Sequence, residues 1–507
     1  MNEFNFDKLF VLDIANNHQG DLNHGLNIID AMSKIINDNQ VDGAIKFQFR
    51  QLESFIHPKH RIASKAKHID RFLTTKLELK DYSTLLDLIK KNNLRAICTP
   101  FDESSVDMIV KMKFDYIKVA SCSSKDWPLL EKIASAGIPV IASTGGLTIS
   151  EVDALVSFFE HRGVSLAIMH CVSIYPTPND KFNLNQIDLF KTRYPKNIIG
   201  WSTHEDPNNF LPGQIALAKG AKIFERHIGL ETENYKLNAY SSNPDQVDRW
   251  IKACLNAEQL ISKNVDRIIS AEETESLHTL LRGIYINNDI KKGTKISKKD
   301  IYFAMPLVEG QIESGKWCND FIVKKNLKKD DALYYSGVNY PTSSNKNIIK
   351  KSIHKAKALL NEAKVVLNSD FNIEVSHHHG VENFEKTGAL ILNCINREYC
   401  KKIIVQLPGQ KHPMHFHKRK EETFQVLYGS LETQIDGHIR SLNPGETALI
   451  QPGVWHSFWS KNGCVFEEIS TTHFDDDSIY SDKKINNLTR EERKTTAEHW
   501  GRFEILE

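Results

Sequence analysis

Up to about residue 265 the chain alternates short apolar runs with amphipathic stretches. The runs read FVLDIANN, GAIKFQF, RAICTPF, YIKVAS, PVIASTGG, LAIMHC, IIGWST and IFERHIG. Between them, segments such as LNHGLNIIDAMSKIIND and YSTLLDLIKKN carry apolar residues at helical spacing. Strand and helix alternating eight times predict a closed parallel (β/α)8 barrel over residues 1–275, with a doubly wound open sheet as the alternative. No Gly-rich phosphate loop accompanies any of these strands.

The pattern then changes twice. Residues 280–336 are rich in Lys, Gly and Asp with short apolar pieces, which predicts a small loop-rich domain. Residues 336–347 have linker composition, and a helix is expected over 348–367. From about Phe371 short strands recur between turn signals, as in IDGHIRSLNPGE, and predict an all-β barrel or sandwich within 350–507. The final polar stretch, LTREERKTTAEHWGRF, reads as helical.

Composition narrows the class. A net charge of +1 over 507 residues gives no field for nucleic acid or a membrane surface. No apolar run is long enough to span a bilayer, and the N-terminus lacks a signal-peptide layout. The eight cysteines are scattered without a C-x-x-C pair, as expected of a reduced, cytoplasmic enzyme. Cys171, after a predicted strand, reads as a small buried hydrophobe rather than a nucleophile.

In such a barrel the active site lies at the C-terminal strand ends, where the polar residues fall. Strand one ends with Asp13, Asn17 and His18; strand two carries Lys46 and Gln48; strand three ends in Thr99; strand four offers Lys118 and Ser121. Ser173 and Tyr175 follow strand six, Ser202 and His204 end strand seven, and Glu225 and His227 end strand eight. Lysines within apolar strands need anionic partners, and two of them on strands two and four point to one anion site. His204 and His227, on adjacent strands, can converge on a divalent metal, with Glu225 on the same strand face as His227.

The stretches NNHQGD, IKFQ, TPFDE, YIKVAS, STGG, HCVSIYPTP, GWSTH and ERH closely resemble the N-acetylneuraminate (sialic acid) synthase family. IYINNDIKKGTKISKKDI resembles the antifreeze-like (SAF) domain that follows the barrel in that family, and the likeness covers roughly residues 8–335. The resemblance implies condensation of phosphoenolpyruvate with an aldose, releasing phosphate. Mn2+ (or Mg2+) would sit on His204 and His227. Lys46 and Lys118, with Thr99, Ser121 and Ser202, would hold phosphoenolpyruvate. Asp13 and Glu225 would handle protons, water or sugar hydroxyls; Asn17, Gln48, Ser173, Tyr175 and Asn238 would line the substrate site. It also implies a domain-swapped homodimer.

Several positions depart from the family pattern. Asp13 replaces Glu, S-C-S replaces S-G-E so that Ser123 stands for a sugar-binding carboxylate, Thr203 replaces the Asp of G-x-S-D-H, and Asn238 aligns with an Asp. Met305 stands where an Arg reaches the partner's N-acylated sugar. The phosphoenolpyruvate half is kept and the sugar half altered, which implies an acceptor other than N-acetylmannosamine.

Near the C-terminus, GQKHPMHFHKRKEETFQVLYG matches the first cupin motif and GETALIQPGVWH the second. Alternation along the strand turns His415 and His417 to one side, and Glu422 and His456 complete a three-His, one-carboxylate site for Mn, Fe, Ni or Zn. Glu421 is the weaker candidate for the carboxylate. FEEISTTHFDDDSIY resembles cupin sugar isomerases of the D-lyxose isomerase group, so the module is expected to bind or isomerise a sugar, or to be structural. The histidines at 377–379 read as an exposed loop. Two rival readings remain open: another phosphoenolpyruvate-dependent aldol synthase of the Kdo or DAHP type, and a cupin sugar sensor on an inactive barrel.

Overall fold

The computed structural model describes residues 4–61, 68–262, 267–319, 321–339, 345–368, 370–498 and 500. The chain divides into two compact units, Met1–Ile268 and Ile269–Glu507.

In the first unit eight parallel strands close into a barrel in sequence order: β1 (Leu9–Asp13), β2 (Gly43–Phe49), β3 (Arg95–Pro100), β4 (Tyr116–Val119), β5 (Val140–Ser143), β6 (Leu166–Cys171), β7 (Ile198–Ser202) and β8 (Ile223–His227). The open-sheet alternative is excluded. One set of alternating positions faces the helices and forms the main core, including Phe10, Leu12, Ile45, Phe47 and Phe224. The other set faces inward. Its lower layer is apolar: Leu9, Val11, Ala44, Ile97, Tyr116, Ile141, Ala167, Met169 and Ile223, with Phe4 and Phe6 packed against it. A Cβ on Gly200 would sit 2.2 Å from the Met169 sulfur and 2.8 Å from the Ile223 carbonyl oxygen, so that floor requires glycine there. Two residues further along each strand, the same faces carry Asp13, Lys46, Thr99, Lys118, Ser143, Ser202 and Glu225. The period-2 geometry of the strand thus stacks a polar layer directly on an apolar plug.

The second unit starts at Ile269, and its first helix is Ala271–His278. A small β region follows, with β9 (Gly283–Ile286) antiparallel to β10 (Ile301–Ala304) and β11 (Ile322–Val323) antiparallel to β12 (Val338–Asn339). It has its own core of Ile284, Ile286, Ile296, Ile312, Phe321 and Leu333. The expected linker is partly structured: Val338 and Asn339 pair with β11, because Val338 has a buried place in that core.

The remaining strands form two antiparallel sheets, of seven and five strands. The first contains β13 (Asn372–Ser376), β14 (Ala389–Asn396), β15 (Tyr399–Gln406), β17 (Glu422–Gly429), β20 (Thr447–Ile450), β22 (Cys464–Thr471) and β24 (Lys494–Glu498). The second contains β16 (His415–His417), β18 (Leu431–Ile435), β19 (His438–Leu442), β21 (His456–Trp459) and β23 (Ser478–Tyr480). The expected helix spans Asn345–Glu362, and its Ile349, Ile353, Ala356 and Leu360 pack on the larger sheet. The C-terminal expectation was wrong. Among the described residues of that stretch only Arg490–Arg493 is helical, and Lys494–Glu498 is an edge strand on β13, where pairing satisfies that strand's otherwise free backbone groups. Among the described residues no helix is long and apolar enough to cross a membrane.

Candidate active site and cupin metal cluster

The polar layer of the barrel is one connected cluster. Parallel pairing sets Asp13 beside both Lys46 and His227, and Ser202 beside Glu225. Lys46 Nζ lies 2.8 Å from Asp13 Oδ2 and 3.3 Å from Glu225 Oε1, while Lys118 Nζ lies 3.8 Å from Glu225 Oε2 and donates to the Ser143 hydroxyl. All four charged groups are buried. Burial opposes each charge, but Lys46 and His227 hold Asp13 down at about 2, and the two carboxylates hold the Lys46 ammonium above its ordinary value. Lys118 is shifted the other way: burial lowers it, and Glu225 only partly offsets this. The second lysine is therefore short of negative charge.

Two buried atoms in this layer lack a hydrogen-bond partner, Thr99 Oγ1 and Glu225 Oε2. Orphaned polar atoms at the strand ends of a barrel mark a place for a ligand. A cradle lies beside them. Gly145 donates its N–H to Ser121 Oγ at 3.1 Å, and a Cβ there would come within 2.4 Å of Ser173 Oγ and 2.6 Å of Ser121 Oγ. Ser202 donates to Glu225 Oε1 at 3.2 Å.

His204 and His227 meet above this layer, ring centroids 5.1 Å apart. His204 Nδ1 is 3.3 Å from the Val172 carbonyl oxygen, which fixes the tautomer with Nε2 free to ligate. Burial and His227 pull His204 down to about 3, so it is neutral at physiological pH, as a metal ligand must be. His227 Nδ1 is 3.6 Å from Asp13 Oδ2. The pair fits a divalent cation with open positions. Tyr175 covers His204 at 3.9 Å between ring centroids, and Tyr240 stands edge-on to Tyr175, His204 and His227.

Three residues singled out in the sequence also make hydrogen bonds within the protein. Asn17 spends its amide on the Ile228 carbonyl (2.8 Å) and Ser241 Oγ (3.0 Å), tying the β1 loop to the β8 loop. Asn238 Oδ1 accepts from the backbone N–H of Tyr240, so it shapes the turn that presents that ring. Thr203 donates to Glu205, which pairs with buried Arg226 at 3.0 Å, outside the polar layer. Gln48 does join the site, donating to Asp13 Oδ2 at 3.2 Å. Sequence reasoning missed Ser143, Arg50 and Tyr240. The first two were readable, since Ser143 ends an inward strand face and Arg50 continues the alternation Lys46, Gln48. Tyr240 lies in a loop, where no period applies.

In the cupin region His415, His417, Glu422 and His456 bring four ligand atoms within 4.8 Å of one another, all buried. His415 and His456 are register partners on β16 and β21. Each Nδ1 faces an acceptor: His415 the Pro413 carbonyl (3.0 Å), His456 the Val454 carbonyl (3.0 Å), His417 the Ser478 hydroxyl (3.2 Å). That leaves the Nε2 atoms to ligate. Glu422 Oε1 and His456 Nε2 are buried without a hydrogen-bond partner although 2.8 Å apart, the arrangement of two ligands around a common ion. Burial opposes the charge of Glu422, but Lys420 (Nζ 2.5 Å away), His456 and His417 hold its carboxyl well below the ordinary range. Exposed Glu421 takes no part.

The histidines at 377–379 are not an exposed loop. His377 and His378 are buried, and only His379 is exposed. His377 Nε2 is 2.9 Å from Thr495 Oγ1 on β24, the strand that sequence reading took for helix. His378 Nε2 meets His412 Nε2 at 3.1 Å, and His412 stands 4.8 Å from His415 between ring centroids.

Comparison with known proteins agrees with both halves. Residues 36–266 match the NeuB family and residues 403–464 the cupin domain. A putative spore coat polysaccharide biosynthesis protein E from Chromobacterium violaceum is 39% identical over 66% of this chain and 99% of its own, with a TM-score of 0.63. N,N'-diacetyllegionaminic acid synthase of Campylobacter jejuni is 25% identical over 64% of this chain and 98% of its own. Pseudaminic acid synthase of the same species is 26% identical over 60% and 89%. With a barrel strand order, a strand-end lysine–carboxylate cluster and a family match that coincide, the chain belongs to the NeuB family and carries a C-terminal cupin domain.

Proposed function

We propose that the barrel condenses phosphoenolpyruvate with an open-chain aldose to give a nonulosonic acid and inorganic phosphate. The observation that carries this reading is the buried cluster of Lys46, Lys118, Asp13 and Glu225, in which Thr99 Oγ1 and Glu225 Oε2 have no hydrogen-bond partner. Lys46 and Lys118 receive the phosphate and carboxylate of phosphoenolpyruvate, and Thr99, Ser121 and Ser202 donate to their oxygens. His204 and His227 would hold Mn2+ or Mg2+, which when bound supplies Lewis-acid polarisation of the aldehyde. The methylene carbon bonds to the aldehyde carbon, whose oxygen takes up a proton. Water adds at the enol carbon, loses a proton, and phosphate leaves by C–O cleavage. Asp13, ionised beside His227 and Lys46, is placed to hold a sugar hydroxyl next to the aldehyde, and Glu225, beside both lysines and Ser202, to take the proton of the attacking water.

The altered sugar half, with Ser123, Asn238 and Met305 in place of family polar groups, supports an acceptor other than N-acetylmannosamine. The small β region at 283–339 is read as the antifreeze-like domain and the active form as a domain-swapped homodimer, for which light scattering giving a monomer would be fatal. The cupin cluster supports a second metal centre, of Mn, Fe, Ni or Zn, serving a sugar-binding or isomerising module. The decisive experiment follows phosphate release from phosphoenolpyruvate across a panel of aldoses with Mn2+ added. Metal-dependent release with one aldose supports the synthase; silence without phosphoenolpyruvate binding supports an inactive barrel.

A further inference from the structure

Arg50 is the first residue after β2 (Gly43–Phe49), two positions beyond Gln48. Its Nη2 donates to Gln48 Oε1 at 2.9 Å, and Gln48 in turn donates to Asp13. The guanidinium is thus one side chain away from the reaction-centre carboxylate. Two rings clamp it: its carbon lies 3.7 Å from the Phe101 centroid and 4.1 Å from that of Phe72. Stacked between rings, the fork is held in one plane and its orientation is fixed.

The charge is uncompensated. Among the described residues no carboxylate lies within ion-pair distance of Arg50, and its Nε is buried without a hydrogen-bond partner. The acids that share its cleft are engaged elsewhere, Glu53 with Arg61 (3.1 Å) and Glu78 with Lys76 (3.3 Å). That cleft, about 240 Å³, opens beside Asn16, Gln48 and Arg50. Burial pulls the guanidinium down only to about 10, so it stays charged at neutral pH. Arg50 is half-buried, and a clamped guanidinium without a counter-charge, its Nε shut away from water, gains from an anion that completes it.

We propose that Arg50 is a specificity-determining residue that binds an anionic group, a carboxylate or phosphate ester, on the acceptor aldose. This rests on the reading of the barrel as a condensing site and narrows its substrate class to charged sugars. A planar fork with free Nε and Nη donors suits two oxygens of one anion.

The test is calorimetry on the full chain with Mn2+ and phosphoenolpyruvate present, titrating mannose, mannose 6-phosphate and mannuronate. The wild type should bind at least one charged sugar about tenfold or more tightly than mannose, and which one is tighter separates phosphate from carboxylate. In R50M that preference should collapse about tenfold, while R50K should retain part of it, keeping the charge without the fork. Mannose bound as tightly as both charged sugars by the wild type, which needs no variant, overturns the proposal. So does an unchanged preference in a folded R50M, which would place the anion on the lysine pair instead. Phosphate release distinguishes the two readings. If Arg50-dependent binding persists but no aldose triggers release, condensation falls and the anion site stands. If mannose is turned over as well as its charged counterparts, condensation stands and the anion site falls.

Discussion

The chain contains two buried clusters of histidines and carboxylates, built to opposite specifications. In the cupin three imidazoles and one carboxylate converge within 4.8 Å, each Nδ1 tied to an acceptor. Ligands supplied by the protein leave few positions for anything else. In the barrel only two imidazoles meet, and beneath them lie lysines and carboxylates with orphaned atoms. A thin ligand set keeps positions open, and unpaired donors wait for a ligand. Both clusters hold orphaned atoms, but the cupin supplies four converging ligand groups of its own, whereas the barrel leaves most positions to what it binds.

The largest test of that contrast is Lys46→Met, which removes the partner of Asp13 and Glu225 in the barrel. Phosphate release should fall by about a thousandfold, and stability by roughly 3–5 kcal/mol because two carboxylates lose their counter-charge. A rate within a few-fold of wild type would end the assignment. In the cupin, Glu422→Gln should lower bound metal by one equivalent in elemental analysis and weaken the remaining site by about 10–100-fold. Phosphate release should be unaffected; if it falls in step, the clusters are not independent. Acid should bear on both units. Burial, with His24 and Arg71, holds His18 down at about 4 in the barrel, and burial, with Lys402, Lys420 and Lys494, holds His473 down at about 3 in the cupin. The unfolded chain protonates near 6.5 while the folded chain resists. Stability is therefore full above pH 6.5 and declines as pH falls toward 4 and then 3, each group contributing on the order of 2–3 kcal/mol. Chemical denaturation at pH 7.5 and pH 5 measures this, and equal stability at both would refute it. The smallest effect is expected of Tyr240→Phe, which keeps the ring over His204 and His227 and should change the aldose KM less than about threefold, while Tyr240→Ala should raise it by about tenfold.

Legibility in the sequence followed periodicity. Barrel strands repeat every second residue, so Asp13, Lys46, Lys118 and Glu225 could be placed on one inward layer before any coordinate was known. The cupin ligands were legible because two motifs fix their spacing on β16, β17 and β21. What failed lacked a local signal. Lys494–Glu498 has helical composition and became a strand only because β13 offered an unpaired edge. His377 and His378 were taken for exposed loop because nothing nearby in sequence announces Thr495 and His412.

The apolar plug beneath the polar layer governs traffic. Leu9, Val11, Ile97, Met169 and Ile223 fill the interior, and Gly200 is the place where no further atom fits. Among the described residues this plug fills the lower end of the interior, and the polar layer lies on the side of the strand C-termini. A ligand seated on Lys46 and Lys118 lies at the bottom, and one reaching His204, Tyr175 and Tyr240 lies nearer the rim. On the proposed reading, whatever occupies the rim would block the way to the floor, so the deep ligand would arrive first and anything produced at the bottom would depart only after the rim had cleared.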